Sequence, residues 1–263
     1  MSIVVMNMKD EHLRYVSLCT HTDEKENSEC LQAADMRLQW LKDAAKRGMK
    51  TEVAINEKGE PLGFIHMVPI KSPCSGMIGR DLMVIPCLTI NYQLVYKRLQ
   101  GTGVGRALVQ ACEKEARKRK FKGLAVYAYS GDFWFMPSLF FQKLGFERIP
   151  STNIWIKKWD EVEDPKEPTI NYKYVPIPGK VVIDYFWSPS CLTTCQEAIN
   201  IRDVVSEFES RVVLNTHRAD DPEIFKNHGL IRALYINGKR KDWGYAAPKD
   251  ALRKEIADLL ETI

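Results

Sequence analysis

The chain lacks a hydrophobic run long enough to cross a bilayer; its apolar stretches are strand-length and interrupted, so no membrane-spanning segment is expected. It also lacks a dominant charge. Lys and Arg total 38 against 34 Asp and Glu, a formal net charge of +4. The basic tract from Lys114 to Lys122 reads as the wet face of a helix, so charge implies no nucleic-acid partner. Seven cysteines, an odd number in 263 residues, do not make the paired framework of a secreted protein, and a reducing, cytoplasmic setting is the expectation. Met1-Ser2-Ile3-Val4-Val5 has neither the basic start nor the long apolar region of a signal peptide. Cys191, Cys195, His217 and His228 are spaced like no standard zinc site, so no metal is expected.

At a prior of about 150 residues per domain, the length suggests two units, each able to bury its own core. The most informative stretch is Arg98-Leu99-Gln100-Gly101-Thr102-Gly103-Val104-Gly105-Arg106-Ala107-Leu108. Glycines at alternate positions permit a tight turn, and the apolar periodicity from Val104 opens a helix directly behind them. Unpaired amides at a helix start, backed by the positive end of the macrodipole, suit a pyrophosphate. A Walker loop would need Lys-Ser or Lys-Thr after the last glycine, where Arg106-Ala107 stands. A dinucleotide fingerprint would need a glycine three places after Gly103, where Arg106 stands.

Read as Gln100-x-x-Gly103-x-Gly105, the stretch resembles the coenzyme A pyrophosphate loop of the GCN5-related N-acetyltransferases (GNAT family). Downstream, Phe140-Phe141-Gln142-Lys143-Leu144-Gly145-Phe146 resembles the end of that family's fourth helix and the Gly-Phe entering its next strand. The resemblance implies an α/β acyl-CoA N-acyltransferase fold over residues 1–160, a mixed sheet with helices on both faces. It implies acetyl-CoA as cosubstrate and direct attack on the thioester by an amine of a small molecule or peptide. The pyrophosphate would lie on backbone N–H groups from Gln100 through Gly101, Thr102, Gly103, Val104 and Gly105 to Arg106, with Leu88, Ile90 and Lys143 completing the coenzyme site. Neither nucleic acid nor membrane is among the implied partners, and a homodimer is an option.

Along the chain, Val4 to Met8 reads as a strand, and Asp10 to Tyr15 starts a weak helical pattern before a polar break at Thr20 to Ser28. Leu31, Ala34, Leu38, Leu41 and Ala45 describe an amphipathic helix ended by Gly48. By resemblance both helices lie over the substrate side. Thr51–Ile55 and Leu62–Val68 read as a hairpin, and Leu82–Ile90 as a strand carrying Pro86. Proline offers no N–H to a ladder, so a bulge or an edge is expected there. In the family this strand splays from its neighbour to admit the acyl-pantetheine arm. A helix over Val104–Lys120 has an apolar face that includes Cys112, read as a core residue. A strand over Gly123–Tyr129 leads to Asp132, a candidate cap for a helix spanning Pro137–Leu144, and Ile154–Trp159 is a last strand.

The composition then changes: residues 160–168 are acidic with two prolines, linker chemistry assigned to 161–178. Beyond it the order is strand (Lys180–Trp187), helix (Leu192–Phe208), strand (Val212–Asn215), short helix around Phe225, two strands joined at Asn237-Gly238, and a closing helix (Lys249–Leu260). That order resembles a smaller thioredoxin-like α/β domain over 179–263, as in the YoaP-like acetyltransferases. Two departures stand out. Cys191-Leu192-Thr193-Thr194-Cys195 is C-x-x-x-C rather than C-x-x-C, and no proline occurs between Pro222 and Pro248 to serve as the fold's cis-proline. A helix N-terminus still favours a thiolate at Cys191. One helical turn separates the two Cα atoms by about 6 Å, which a disulfide tolerates. Cys191 and Cys195 are therefore a candidate thiol pair, beside the blander reading of a docking domain.

Amine attack on a thioester needs a base or water chain, an N–H for the oxyanion and an acid for the thiolate. In many family members that acid is a tyrosine of the fourth helix, and Phe141 stands in its place. Tyr127, Tyr129, Ser138 or water remain as donors, or the thiolate leaves unassisted. For the base, His66, Glu52 and Asp81 are candidates, and His66 reads equally as a satisfied core histidine. The rival function is a thiol-active or coenzyme A-sensing binding protein with a weakened transferase fold.

Overall fold

The computed structural model describes residues 2–21, 27–91, 101–131 and 135–262. It divides into two units, Met1–Asp23 with Leu41–Pro168 and Glu24–Trp40 with Thr169–Ile263. No helix of the described residues is long and apolar enough to cross a membrane.

In the first unit, β1 (Val4–Asn7), β2 (Lys50–Ile55), β3 (Pro61–Pro69), β4 (Leu82–Ile90), β5 (Gly123–Tyr127), β6 (Glu147–Arg148) and β7 (Ile154–Lys158) form a sheet in the order β1-β2-β3-β4-β5-β7-β6. Every neighbouring pair is antiparallel except β4 and β5. A parallel pair cannot be closed by a hairpin, so the chain between them crosses over, and the crossover carries α3 (Val104–Lys118). Val104, Leu108, Val109, Cys112 and Ala116 of α3 pack on Ile65, Met83, Ile85, Leu124 and Val126. Cys112 is fully buried there, and burial pushes its thiol up. Side chains alternate across the strands. Glu52, Ile65 and Leu88 stand in register on the α3 face, and Thr51, His66 and Cys87 in register on the other. Over that second face lies α1 (Leu13–Leu18), whose Tyr15 meets Phe64 edge-on at 6.2 Å. The short α4 (Ser138–Gln142) follows Pro137 as its N-cap; the expected cap, Asp132, lies outside the described residues.

In the second unit, β8 (Val181–Trp187), β9 (Val212–Arg218), β10 (Ala233–Ile236) and β11 (Lys239–Lys241) pair in the order β11-β10-β8-β9, with only β8 and β9 parallel. Val181, Ile183 and Tyr185 bury one sheet face against α5 (Leu192–Ser206) and α7 (Lys249–Leu260). Phe186, Ala233 and Tyr235 meet Leu230, Ile224 and Tyr172 on the other, where α6 (Pro222–His228) lies. The hairpin turn holds Asn237 at φ 45° and Gly238 at φ 75°, as a two-residue turn between right-twisted strands requires.

Two expectations change. The long helix α2 (Ser28–Lys46), capped by Asn27 Oδ1 on the amides of Glu29 (3.1 Å) and Cys30 (3.2 Å), does not belong wholly to the first unit. Its segment up to Trp40 groups with the second, where Trp40 Nε1 donates to Asp220 (3.0 Å) and the buried Arg37 donates to Ser190 O (3.1 Å). Sequence periodicity reveals that a helix is amphipathic but not which core receives its face. The acidic stretch is also no loose tether. Lys166 and Ile78 exchange backbone bonds of 2.8 Å, and Tyr172 stacks on Tyr235 at 3.7 Å.

One buried carboxylate organises the second unit. Glu197 on α5 accepts from Tyr185 Oη (2.9 Å), Arg232 Nε (3.1 Å) and Nη2 (3.2 Å), and the Ala247 amide (3.1 Å). Burial, then Glu197 itself, pushes the Tyr185 phenol up. Removing the anion strands these donors, so Glu197→Ala is expected to destabilise this unit by roughly 3–5 kcal/mol, read by urea titration of the full chain followed through the second transition.

Candidate functional site

The glycine loop delivers the chain into α3 with Gly101 at φ 92° and Gly103 at φ 86°, a backbone region in which a side chain would be strained. The first backbone bond of α3 runs from the Ala107 amide to Gly103 O at 2.9 Å. The amides of Val104, Gly105 and Arg106 precede that ladder and stand at its positive end. A Cβ on Gly101 or Gly103 would meet nothing within 4 Å among the described residues. Gly105 faces inward instead. A Cβ there would lie 3.1 Å from Phe140 Cζ and 3.2 Å from Ile90 Cδ1, so the missing side chain lets α3 start against the end of β4. Gln100 lies outside the described residues.

Beside this helix start the sheet opens. β4 pairs with β5 only from Leu82↔Gly123 to Ile85↔Val126, while along β3 it continues to Gly63↔Ile90. The register with β3 slips between His66↔Cys87 and Val68↔Val84, so one residue of β3 opposes two of β4, Ile85 and Pro86. Pro86 thus sits in a bulge, as its lack of an N–H leads one to expect. Beyond it, residues 86–90 have no strand partner on the β5 side among the described residues. Leu88 and Ile90 face the α3 core at this opening, and Lys143 is exposed at the end of α4.

The candidate acid and base residues scatter around the opening. His66 is buried, with Nδ1 2.7 Å from Thr51 Oγ1, on the face away from α3. Glu52 is on the opposite face beside Lys50 (3.7 Å), its carboxyl pushed up by burial against the opposing pull of Lys50. The two therefore cannot serve one reaction centre together. Asp81 is exposed at the closed end of β4, away from the splay, which removes it as a base there. Tyr127 is committed: its Oη donates to Gly76 O at 2.9 Å, and burial pushes its phenol up. Tyr129 and Ser138 come together past β5, where the Ser138 amide donates to Tyr129 O (2.8 Å) and Ser138 Oγ lies 3.3 Å from Ser130 Oγ. Burial raises the Tyr129 phenol too. Phe141 is fully buried, in edge contact with Phe140 and Phe146.

A group the sequence did not suggest lies on the His66 face of the opening. Cys87, directly across from His66, has its Sγ 3.5 Å from Thr89 Oγ1, and Cys19 Sγ is 3.7 Å from that same oxygen. Cys19 ends α1 in a left-handed conformation, φ 56°. The Tyr15 hydroxyl is buried with no hydrogen-bond partner among the described residues. Only strand register and the return of α1 over the sheet unite residues 70 positions apart. The legible signal was Cys87 immediately after Pro86.

The acetyltransferase (GNAT) family profile matches residues 14–146, a stretch that contains the sheet opening and the start of α3. The chain belongs to the GNAT acetyltransferase family. It is therefore a transferase of the acyl-transferring class. No curated protein sequence matches it. Similar solved structures include a GNAT family acetyltransferase from Brucella melitensis in complex with acetyl-CoA, at 15% identity over 63% of this chain and 95% of that one, TM-score 0.42. Another is the PaiA N-acetyltransferase from Thermoplasma acidophilum in complex with coenzyme A, at 15% identity over 60% and 100%, TM-score 0.41. A third is a ribosomal-protein-alanine N-acetyltransferase from Brucella melitensis, at 20% identity over 59% and 99%, TM-score 0.43.

The GNAT profile ends before the candidate thiol pair, which the structure places at the start of α5. Cys191 is exposed at the N-cap in extended conformation, whereas Cys195 is fully buried with Sγ 3.8 Å from Pro189 O. Burial is the main cause that pushes the Cys195 thiol up to about 12. At pH 8 its thiolate fraction is then about one in ten thousand. Iodoacetamide at that pH is expected to alkylate Cys191 and spare Cys195 in the native chain, read from the two modified masses of the peptide that holds both.

Proposed function

We propose that the chain is an acetyl-CoA-dependent N-acetyltransferase whose acceptor is the amine of a small molecule or peptide. The observation that carries this reading is the parting of β4 from β5 at Pro86 beside the open amide end of α3. A long thioester with a pyrophosphate at one end fits such a pair of features. The amides of Val104 to Arg106, with Gly101, Thr102, Gly103 and Gln100 completing the loop, would hold the phosphates. Leu88 and Ile90 would line the arm, and Lys143 would add a surface charge. In the overall reaction the amine nitrogen bonds to the thioester carbonyl carbon, the carbon–sulfur bond breaks and the ammonium proton leaves. If Nδ1–H of His66 donates to Thr51, Nε2 keeps the lone pair that a base needs.

For the second unit, the sheet order β11-β10-β8-β9 with β8 and β9 parallel supports a thioredoxin-like, YoaP-like domain. Arg232, not proline, stands just before β10, which favours a docking or acceptor-shaping role over dithiol exchange. A cytoplasmic setting follows from the same reading. Phe141 in the core favours one competing function, a coenzyme A sensor without turnover.

Acetyl-CoA is expected to raise the unfolding temperature of the full chain, and Gly103→Val is expected to remove at least nine-tenths of that shift, because a β-branched residue cannot hold φ near 86°. A full shift in the variant would remove the phosphate-cradle assignment. A shift in the wild type without release of coenzyme A thiol across a panel of amines would favour the sensor.

A further inference from the structure

We infer that Cys87 is an acyl relay: its sulfur takes the acetyl group from acetyl-CoA and passes it to the amine. The inference rests on the acetyl-CoA reading above and deepens it. Cys87 is the second residue past the β5-paired stretch of β4, half-buried, with its side chain on the face that carries His66. Around it stand Thr89 Oγ1 at 3.5 Å, the Cys19 thiol on the same oxygen at 3.7 Å, and His66 across the strand pair. A cysteine and a hydroxyl able to donate to sulfur thus lie one strand across from an imidazole, where β4 has parted from β5.

The chemistry favours this route because the acid that direct attack calls on is missing from its place. Phe141 carries no proton and is buried in the core, and the Tyr127 hydroxyl is held by Gly76 O. Exchange of one thiol for another avoids the need. The Cys87 sulfur bonds to the carbonyl carbon, the bond to the coenzyme sulfur breaks, and the proton lost by Cys87 ends on the departing coenzyme thiol. One thioester is exchanged for another of the same bond type, so the exchange is close to balanced. In the second half the amine nitrogen bonds to the same carbon, the Cys87 sulfur leaves, and the amine proton returns to it. Thr89 can donate its single hydroxyl hydrogen to the departing Cys87 sulfur while accepting from the Cys19 S–H. The relay therefore places proton donation on Thr89 and Cys87, where a direct mechanism would look to the position of Phe141.

The test incubates the full chain with acetyl-CoA and no amine, quenches in acid, and reads peptide masses. One acetyl group is expected on the Cys87 peptide, removed by neutral hydroxylamine as a thioester should be. Cys87→Ser is expected to lose the adduct and at least a hundredfold of the rate of thiol release with hydroxylamine as acceptor, while keeping its acetyl-CoA thermal shift. Cys191→Ser should change neither. A thermal shift with no adduct in the wild type, with Cys87→Ser retaining its rate, would overturn the relay and leave the acetyl-CoA reading standing. An adduct on Cys191 or Cys19 instead would overturn it as well. Absence of both shift and adduct would overturn the acetyl-CoA reading and the relay together.

Discussion

A single missing hydrogen-bond donor shapes the first unit. Pro86 has no N–H, so a strand paired with β3 through Val84 and with β5 through Ile85 cannot continue that way. The bulge absorbs the extra residue on the β3 side, where pairing resumes at Cys87, and among the described residues β5 has no β4 partner beyond Val126. A bulge also increases local twist, which turns residues 86–90 away from β5. The opening is thus a consequence of backbone chemistry at one position. Gly105 adds a second requirement, since a Cβ there would crowd the side chains of Phe140 and Ile90. The parting of β4 and the start of α3 are held together by one absent N–H and one absent Cβ.

The second unit shows a different use of polar chemistry. Its sheet is built on apolar faces, yet Glu197 is buried at the start of α5 with donors from β8, from the residue preceding β10 and from the loop before α7. A carboxylate with that many donors is tolerated in a low-dielectric setting because its lone pairs are occupied. Arg232 thereby gains a fixed geometry. It also donates to Tyr245 O, which ties the loop before α7 to the same cluster. The guanidinium before β10 is thus engaged in structure.

Much of this was legible in the sequence, and the boundary of legibility has physical causes. Pro86 announced the bulge, alternate glycines announced the start of α3, and Asn237-Gly238 fixed a hairpin, because each acts through local backbone constraints. The helix carrying Leu31 to Ala45 was readable as amphipathic, but its allegiance was not, since Trp40 and Arg37 meet partners about 150 to 180 residues away. The site was divided in the same way. The glycine turn into α3 could be read from spacing, whereas the Cys19, Thr89 and Cys87 group depends on α1 returning over the sheet. Glu52 and His66 looked equivalent as bases, and one residue's difference in strand parity places them on opposite faces.

Strand parity also decides how the opening can act. Leu88 and Ile90 face α3 and offer only apolar surface. Cys87 and Thr89 alternate with them and face the side where His66 and Tyr15 lie. An acyl arm between β4 and β5 would therefore have an apolar wall on one side and sulfur, hydroxyl and imidazole on the other. The polar wall is the side from which an amine could approach without crossing the α3 core. Phe141 belongs to that apolar core, fully buried against Phe140 and Phe146. A phenylalanine on the apolar wall and the two thiols on the opposite wall are two sides of one arrangement, set by the alternation of side chains along the strand that the proline interrupts.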